Sequence, residues 1–374
     1  MLSIGLRWWA QFAFVHPAPI FAPVNRLFSL DYLRGLAAVS IMIYHYVSWT
    51  YGHLDAGSTL GRLGIYGVSI FYVLSGLTLY LVYSEASLNT GQLKDFFIKR
   101  VARIFPLFWL VTILVVLIDR NPVSPWVLFL NFSGLFGFLD WDAGLATGIW
   151  SIGNELVFYA FFPLFMFLAR KSKIGFISLA LGITLLFALF AFVFLTPDKS
   201  IADQWSMYVN PLNQVFLFLA GFLIGYHNGV IKSKTVNIFI LLISIGLFIL
   251  HPYHGDQIGI VSQWNRIFFT LYSIGICMSF YNLNFRFSGF IGRGLSFLGE
   301  STYSVYLLHP IVWSIIFSIT KRISVYKPVP ISMQILLSVV ATLIISGFIY
   351  NWFEKYFIRK GKVFSKKLIE EKAV

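Results

Sequence analysis

Long apolar runs separated by short polar clusters set the rhythm of this chain. A helix needs roughly 20 mostly apolar residues to cross a bilayer. Runs of that kind predict helices over 28–50, 64–83, 101–118, 148–169, 174–195, 211–230, 235–250, 264–281, 301–320 and 331–353, about ten in all. The apolar stretch 126–139 is shorter and follows Pro122 and Pro125, so a re-entrant or interfacial segment is expected there. The pattern predicts an all-α, polytopic membrane protein with no internal repeat and no separate soluble domain. Residues 1–27 hold Arg7, Trp8, Trp9 and several prolines, without the unbroken apolar stretch or small-residue cleavage site of a signal peptide. They are read as an N-terminal interfacial arm, 28–358 as the transmembrane domain and 359–374 as a basic cytoplasmic tail.

Composition agrees with that picture. Of 374 residues, 58% are hydrophobic and only 11% charged, and the mean hydropathy is +0.79. A soluble domain carries about 25% charged residues, so a soluble enzyme, a disordered regulator and a secreted disulfide scaffold are all excluded. Cys277 is the single cysteine, so neither an internal disulfide nor a cysteine metal site is available. The net charge of +13 does not mark a nucleic-acid binder, because the basic residues sit in clusters between apolar runs. Lysine and arginine concentrate on the cytoplasmic side of polytopic proteins. With both termini in the cytoplasm, 20 of the 28 fall inside and 7 outside, leaving Arg34 within a span. Lys321, Arg322 and Lys327 are the discordant outer cluster.

Ionisable side chains inside a bilayer are costly and point to function. The first span holds Asp31, Arg34 and His45. Arg34 and His45 are eleven residues apart, which puts them on one helical face about 16 Å apart along the axis. Asp31 lies one turn from Arg34 and can pair with it. The fourth span carries Ser151, Glu155 and Tyr159 at four-residue spacings, a polar stripe facing the bundle interior. His309 lies mid-span, with Tyr306 and Trp313 a turn to either side. By depth, His45, Glu155 and His309 are expected to meet in the outer half of one cavity. Lys99, Arg100 and Arg103 cluster at the cytoplasmic end of the third span; they read either as topology anchors or as a phosphate site built on guanidinium forks. From these residues alone, ion pairing, interhelical hydrogen bonding and a transporter's proton relay all stay open.

Five segments in order resemble the membrane-bound acyltransferase 3 family of bacterial O-acyltransferases. Leu30-Asp31-Tyr32-Leu33-Arg34-Gly35 leads to His45, matching its Arg-x10-His motif. Gly67-Val68 through Phe71 to Ser75-Gly76 is similar to its second-span pattern. Phe96-Phe97 through Arg100, Arg103 and Pro106 resembles its Arg-x-x-Arg segment. Trp150-Ser151 with Glu155, Phe158-Tyr159 and Pro163 matches its Trp-Ser-Leu-x3-Glu motif, with Ile152 in place of Leu. Tyr303, Tyr306-Leu307 and His309-Pro310 match its late Tyr-x-x-Tyr-Leu-x-His pattern. At the tail, Tyr356 stands where the family often has proline.

The resemblance implies an O-acetyltransferase of the bacterial inner membrane, with no permanently bound cofactor and no metal. It implies cytoplasmic acetyl-CoA as acyl donor, its phosphates against Arg100, Arg103 and Lys99 and its arm passing Arg34. His45 is the expected base, or the acetylated nucleophile, with Glu155 and His309 as further catalytic candidates. The expected acceptor is a lipid-linked or surface carbohydrate such as O-antigen or exopolysaccharide, reached from the outer side amid membrane lipids. The hydrolase-like domain fused to some family members has no counterpart in this sequence, so the transfer is expected of the membrane domain or of a partner. The alternative from another class is a carrier or flippase for a lipid-linked glycan, which would not require Arg100 and Arg103 to bind a nucleotide.

Overall fold

Serine hydroxyls start several of the helices. In this computed structural model, which describes residues 26–86, 89–119, 121–229, 231–323 and 329–370, four serines accept the first free backbone N–H groups. Ser58 caps α2 (Thr59–Tyr83), Ser124 caps α4 (Pro125–Ser133), Ser172 caps α7 (Lys173–Leu189) and Ser233 caps α10 (Lys234–Leu250), at 3.0–3.3 Å. The other helices are α1 (Phe28–Tyr51), α3 (Thr90–Asp119), α5 (Phe136–Leu139), α6 (Ile149–Lys171), α8 (Trp205–Val209), α9 (Pro211–Tyr226), α11 (Ile258–Val261), α12 (Gln263–Leu283), α13 (Gly289–Glu300), α14 (Thr302–Ile323), α15 (Ile331–Phe348) and α16 (Lys355–Glu370). No strand occurs among the described residues.

Each of the ten expected segments is helical, and seven helices are long and apolar enough to cross a membrane. Helix α1, which carries Asp31, Arg34 and His45, is not one of the seven, nor is α10, which has only 17 residues. The stretch expected to be re-entrant forms two short helices, α4 and α5, broken at Gly134, whose φ of 75° suits glycine. The expected interfacial arm, apart from Arg26 and Leu27, lies outside the described residues, as do Arg7 and Lys327.

Helix α2 is central, packing against α1, α9 and α12. The α2 and α9 backbones touch at Gly76 and Gly221, where a Cβ would run into the carbonyls of Phe218 and Val73 respectively. Ser75-Gly76 therefore marks a close helix crossing. Loops expected on the outer side gather at one end of the bundle. Arg62, 1% exposed, donates to the carbonyls of Ala56, Phe248, Ile249, His251 and Tyr253, and so covers the end of α10. Trp141 Nε1 donates to Ser206 O at 2.7 Å, and Asp256 accepts from the Ile201 N–H at 3.1 Å. At the opposite, basic end Arg170 donates to Tyr83 O at 2.8 Å and Arg26 binds Glu300 at 2.6 Å.

Two helices depart from the expected plan. Residues expected to be a basic tail form α16 through Glu370. Gly361 and Ser365, one turn apart, are buried against α3: Gly361 meets Ala102, and the Ser365 hydroxyl donates to Asp95. The segment between the eighth and ninth expected spans folds as α13, which packs on α1. Helix α16 is strongly basic and α13 has only 12 residues, so a search for long apolar runs passes over them.

Candidate active site

Two cavities enter the bundle from its two ends, and the polar residues of α1 divide between them. At the basic end a cavity of about 350 Å³ is lined by Arg34, Ser75, Thr78, Arg100, Arg103, Ser151, Glu155, Tyr159, Tyr303 and Tyr306, among others. Arg34 Nη2 donates to Thr78 Oγ1 at 2.7 Å and Leu74 O at 3.3 Å, while Nη1 lies 3.6 Å from Asp31 Oδ1. Asp31 is also held by Arg26 at 2.7 Å. Arg100 sits 5.8 Å from the Tyr159 ring centroid and 5.9 Å from that of Phe96, and its buried Nε has no hydrogen-bond partner among the described residues. With Arg26, which also lines this cavity, four guanidinium groups face two carboxylates, Asp31 and Glu155, and the surplus is positive.

The stripe of Ser151, Glu155 and Tyr159 all lines this cavity, and Ser75 Oγ donates to Tyr159 OH at 3.2 Å. Lys99 does not line it. Its ammonium is 2.6 Å from Asp95, the carboxylate that also holds Ser365 of α16, so it ties α3 to its neighbour.

At the other end a cavity of about 310 Å³ is lined by Tyr44, His45, Asp142, Thr147, Trp150, Trp205, Tyr208, Gln257 and Tyr306, among others. Its polar groups are mainly neutral. Gln257 Nε2 donates to Tyr44 OH at 2.7 Å, and Trp150, Trp205 and Tyr208 form a cluster with ring centroids 5.5–5.7 Å apart. In the loop below, Asp140 is held above the usual carboxylate range, by partial burial first and then by neighbouring Asp142.

His45 Nδ1 lies 2.8 Å from His309 Nε2 although the residues are 264 positions apart. The hydrogen bonds assign the tautomers. His309 Nδ1 is 3.2 Å from Val305 O, and a carbonyl only accepts, so Nδ1 carries the proton. In a neutral pair His309 Nε2 is then an acceptor and His45 Nδ1 the donor. The remaining lone pair is on Nε2 of His45, the ring that lines the cavity. Pro310 follows His309 and supplies no N–H to the Tyr306 carbonyl, which leaves backbone acceptors for the His309 ring. Trp49 stacks on His45 at 5.0 Å with the rings 6° from parallel, which fixes the imidazole plane. His309 itself is fully buried and lies behind His45.

The expected single meeting place is therefore two. His45 and His309 touch, whereas Glu155 lines the arginine cavity and not the one that holds His45. Val68 and Tyr306 line both cavities and form their common wall. Tyr306 OH is 2.8 Å from Ser151 Oγ, and both hydroxyls lie 2.9 Å from the carbonyl of Gly148. Gly148 precedes α6 with a φ of 80°, a left-handed turn open to glycine. Thr78, Tyr303, Tyr306, Asp142, Trp205 and Gln257 were not among the expected site residues. Tyr306 had a local signal, since it is one turn from His309; the outer-loop residues had none.

The helical bundle thus sets a basic cavity and a histidine cavity against one shared wall. The chain belongs to the acyltransferase 3 family: the family's acyltransferase domain matches residues 27–351. Peptidoglycan O-acetyltransferase OatA of Listeria monocytogenes is 24% identical over 89% of this chain and 56% of its own length. Putative peptidoglycan O-acetyltransferase YrhL of Bacillus subtilis is 24% identical over 91% of this chain and 56% of its own. Exopolysaccharide production protein ExoZ of Rhizobium meliloti is 23% identical, covering 86% of this chain and 96% of that protein. The chain thus spans a little over half the length of the first two relatives. No solved structure matches it.

Proposed function

We propose that this protein is a membrane O-acetyltransferase that moves an acetyl group from cytoplasmic acetyl-CoA to a hydroxyl of a cell-surface or lipid-linked carbohydrate. The observation that carries this reading is the pair of cavities meeting at Tyr306, one lined by four arginines and the other by His45. The names of the relatives, which point to peptidoglycan and exopolysaccharide, support a polysaccharide acceptor. Division of the interior by a wall favours transfer of a small group over carriage of a whole glycan.

In this reading the basic end faces the cytoplasm of the inner membrane. Arg100 and Arg103 engage the donor's phosphates by charge-assisted hydrogen bonds, and the thioester reaches past Arg34 to the wall. The acceptor sugar rests on Trp150 and Trp205 and hydrogen-bonds Gln257 and Asp142. His45 Nε2 takes the proton of the acceptor hydroxyl as its oxygen attacks the acetyl carbon. Hydroxyls of Tyr306 and Ser151, at the wall between the cavities, turn from the Gly148 carbonyl to serve the developing oxyanion. The carbon–sulfur bond then breaks, the thiolate recovers the proton from His45, and ester and free thiol leave on opposite sides. His309 positions His45 through Nδ1 and touches neither substrate.

The test is transfer of radiolabelled acetyl from acetyl-CoA to surface glycan by membranes with and without this protein, with chemical analysis of O-acetyl groups. The reading predicts label in glycan esters that mild alkali removes. Equal ester content in a deletion strain would overturn it.

A further inference from the structure

A third cavity, of about 640 Å³, opens between the start of α1 and one face of α13, from Gly289 to Glu300. It is separate from the arginine cavity: Phe28 and Tyr32, one turn apart, line it from a different face of α1 than Leu27, Asp31 and Arg34. Tyr32 is 1% exposed, yet its phenol hydroxyl has no hydrogen-bond partner among the described residues. A buried hydroxyl without a partner is uncommon and calls for an explanation. Phe28, Phe285 and Phe287 surround its ring at 5.8–6.3 Å and supply no acceptor.

The charge around that hydroxyl is positive. Arg286 and Arg293 line the cavity, and neither makes an ion pair among the described residues. Glu300 also lines the cavity, but its carboxylate is engaged by Arg26 at 2.6 Å and approached by Lys355 at 4.0 Å. Helix α13 begins at this cavity, and Ser288 before it makes no side-chain cap, so its first N–H groups are available to an anion. The rim is greasy, with Phe287 at 47%, Phe290 at 84% and Ile291 at 62% exposure. A segment that carries Arg286 just before a short helix, Arg293 within it and exposed apolar side chains beside them is suited to the headgroup zone of a bilayer.

We propose that this cavity binds the phosphate of an anionic membrane lipid. Arg286 and Arg293 supply the charge, Tyr32 OH and the start of α13 supply neutral donors, and Phe290 and Ile291 meet the acyl chains. Tyr32 lies two residues before Arg34, so an occupied site would also fix the end of α1 that borders the arginine cavity.

The experiment uses the full chain, purified and delipidated in a neutral detergent. Its Tm is followed as dioleoylphosphatidylglycerol, dioleoylphosphatidylcholine, sodium phosphate or coenzyme A is added. The site predicts stabilisation by phosphatidylglycerol well beyond that by phosphatidylcholine or phosphate. An R286Q/R293Q double variant should need at least about tenfold more phosphatidylglycerol for half the shift, since two charge-assisted contacts are removed. Y32F, which deletes only the unpartnered hydroxyl, should weaken it by less, and R359Q, which removes another exposed arginine at the same end, should leave it unchanged. Equal shifts with phosphate would make this a free-anion site and overturn the lipid assignment. So would loss of the coenzyme A shift in the double variant, which would assign the cavity to the donor, or an unaltered phosphatidylglycerol response in both variants.

Discussion

The two cavities on either side of Tyr306 are of similar size and different chemistry. The one at the basic end presents four guanidinium groups against two carboxylates, Asp31 and Glu155; the one at the other end presents a histidine, one carboxylate, Asp142, amide and hydroxyl groups and a cluster of indole and phenol rings. Formal charge binds a phosphate-bearing donor tightly and from one side. Aromatic rings and neutral hydrogen-bond groups suit a sugar, which carries many hydroxyls and no charge. The difference teaches that selection of the two substrates and chemistry between them are separable here, with only the wall and His45 common to both.

That separation can be broken at several points. The largest effect is expected from His45→Ala, which removes the proposed base: transfer falls by about 10²–10⁴-fold, more if the imidazole is acetylated. Donor affinity should stay at the wild-type value, and O-acetylation per unit of folded protein reads the loss. Arg100→Ala or Arg103→Ala should act on the other side. Each gives up a charge-assisted contact of about 1.5–3 kcal/mol, or about ten- to hundred-fold in donor Kd. Titration of acetyl-CoA into purified protein checks this; an unchanged Kd in both variants would reduce the pair to topology anchors.

Smaller effects sharpen the picture. Gln257→Ala removes one neutral hydrogen bond, so acceptor KM should rise about 2- to 12-fold with donor Kd untouched. A fall in donor affinity instead would mean that the two cavities are not independent. The smallest effect concerns Asp140. A carboxyl held above its unfolded value adds stability below that unfolded value, and the contribution is lost as pH rises through the folded one. Asp140→Asn should therefore gain on the wild type in Tm as pH rises from the acid range to neutrality, by less than about 1 kcal/mol because the site is largely solvent-screened. A difference that runs the other way with pH would contradict the assignment.

Much of this arrangement was legible where one helix carries the signal. The eleven-residue spacing of Arg34 and His45 and the four-residue stripe of Ser151, Glu155 and Tyr159 lie within single helices, and the 3.6-residue period fixes their common faces. How helices rotate against one another is not written in that period. The contact of His45 with His309 depends on α1 and α14 packing together, and the placing of Glu155 in the arginine cavity depends on how α6 is turned in the bundle. Depth alone grouped Glu155 with the histidines, since it measures position along the membrane normal and not around the bundle. Lys99 shared the sequence cluster of Arg100 and Arg103, but a buried partner, Asp95, draws it away. Asp142 and Gln257 come together only because the outer loops are bonded to one another.

The central claim is that donor recognition and proton abstraction reside in different cavities. The direct measurement is acetyl-CoA affinity and acetyl transfer, taken on the same preparations of His45→Ala and of the Arg100→Ala/Arg103→Ala double variant. The account predicts that the histidine variant binds donor at wild-type affinity and does not transfer, while the arginine variant binds poorly and regains transfer as donor is raised. Equal loss of donor affinity in both variants, or near-normal transfer without His45, would contradict it.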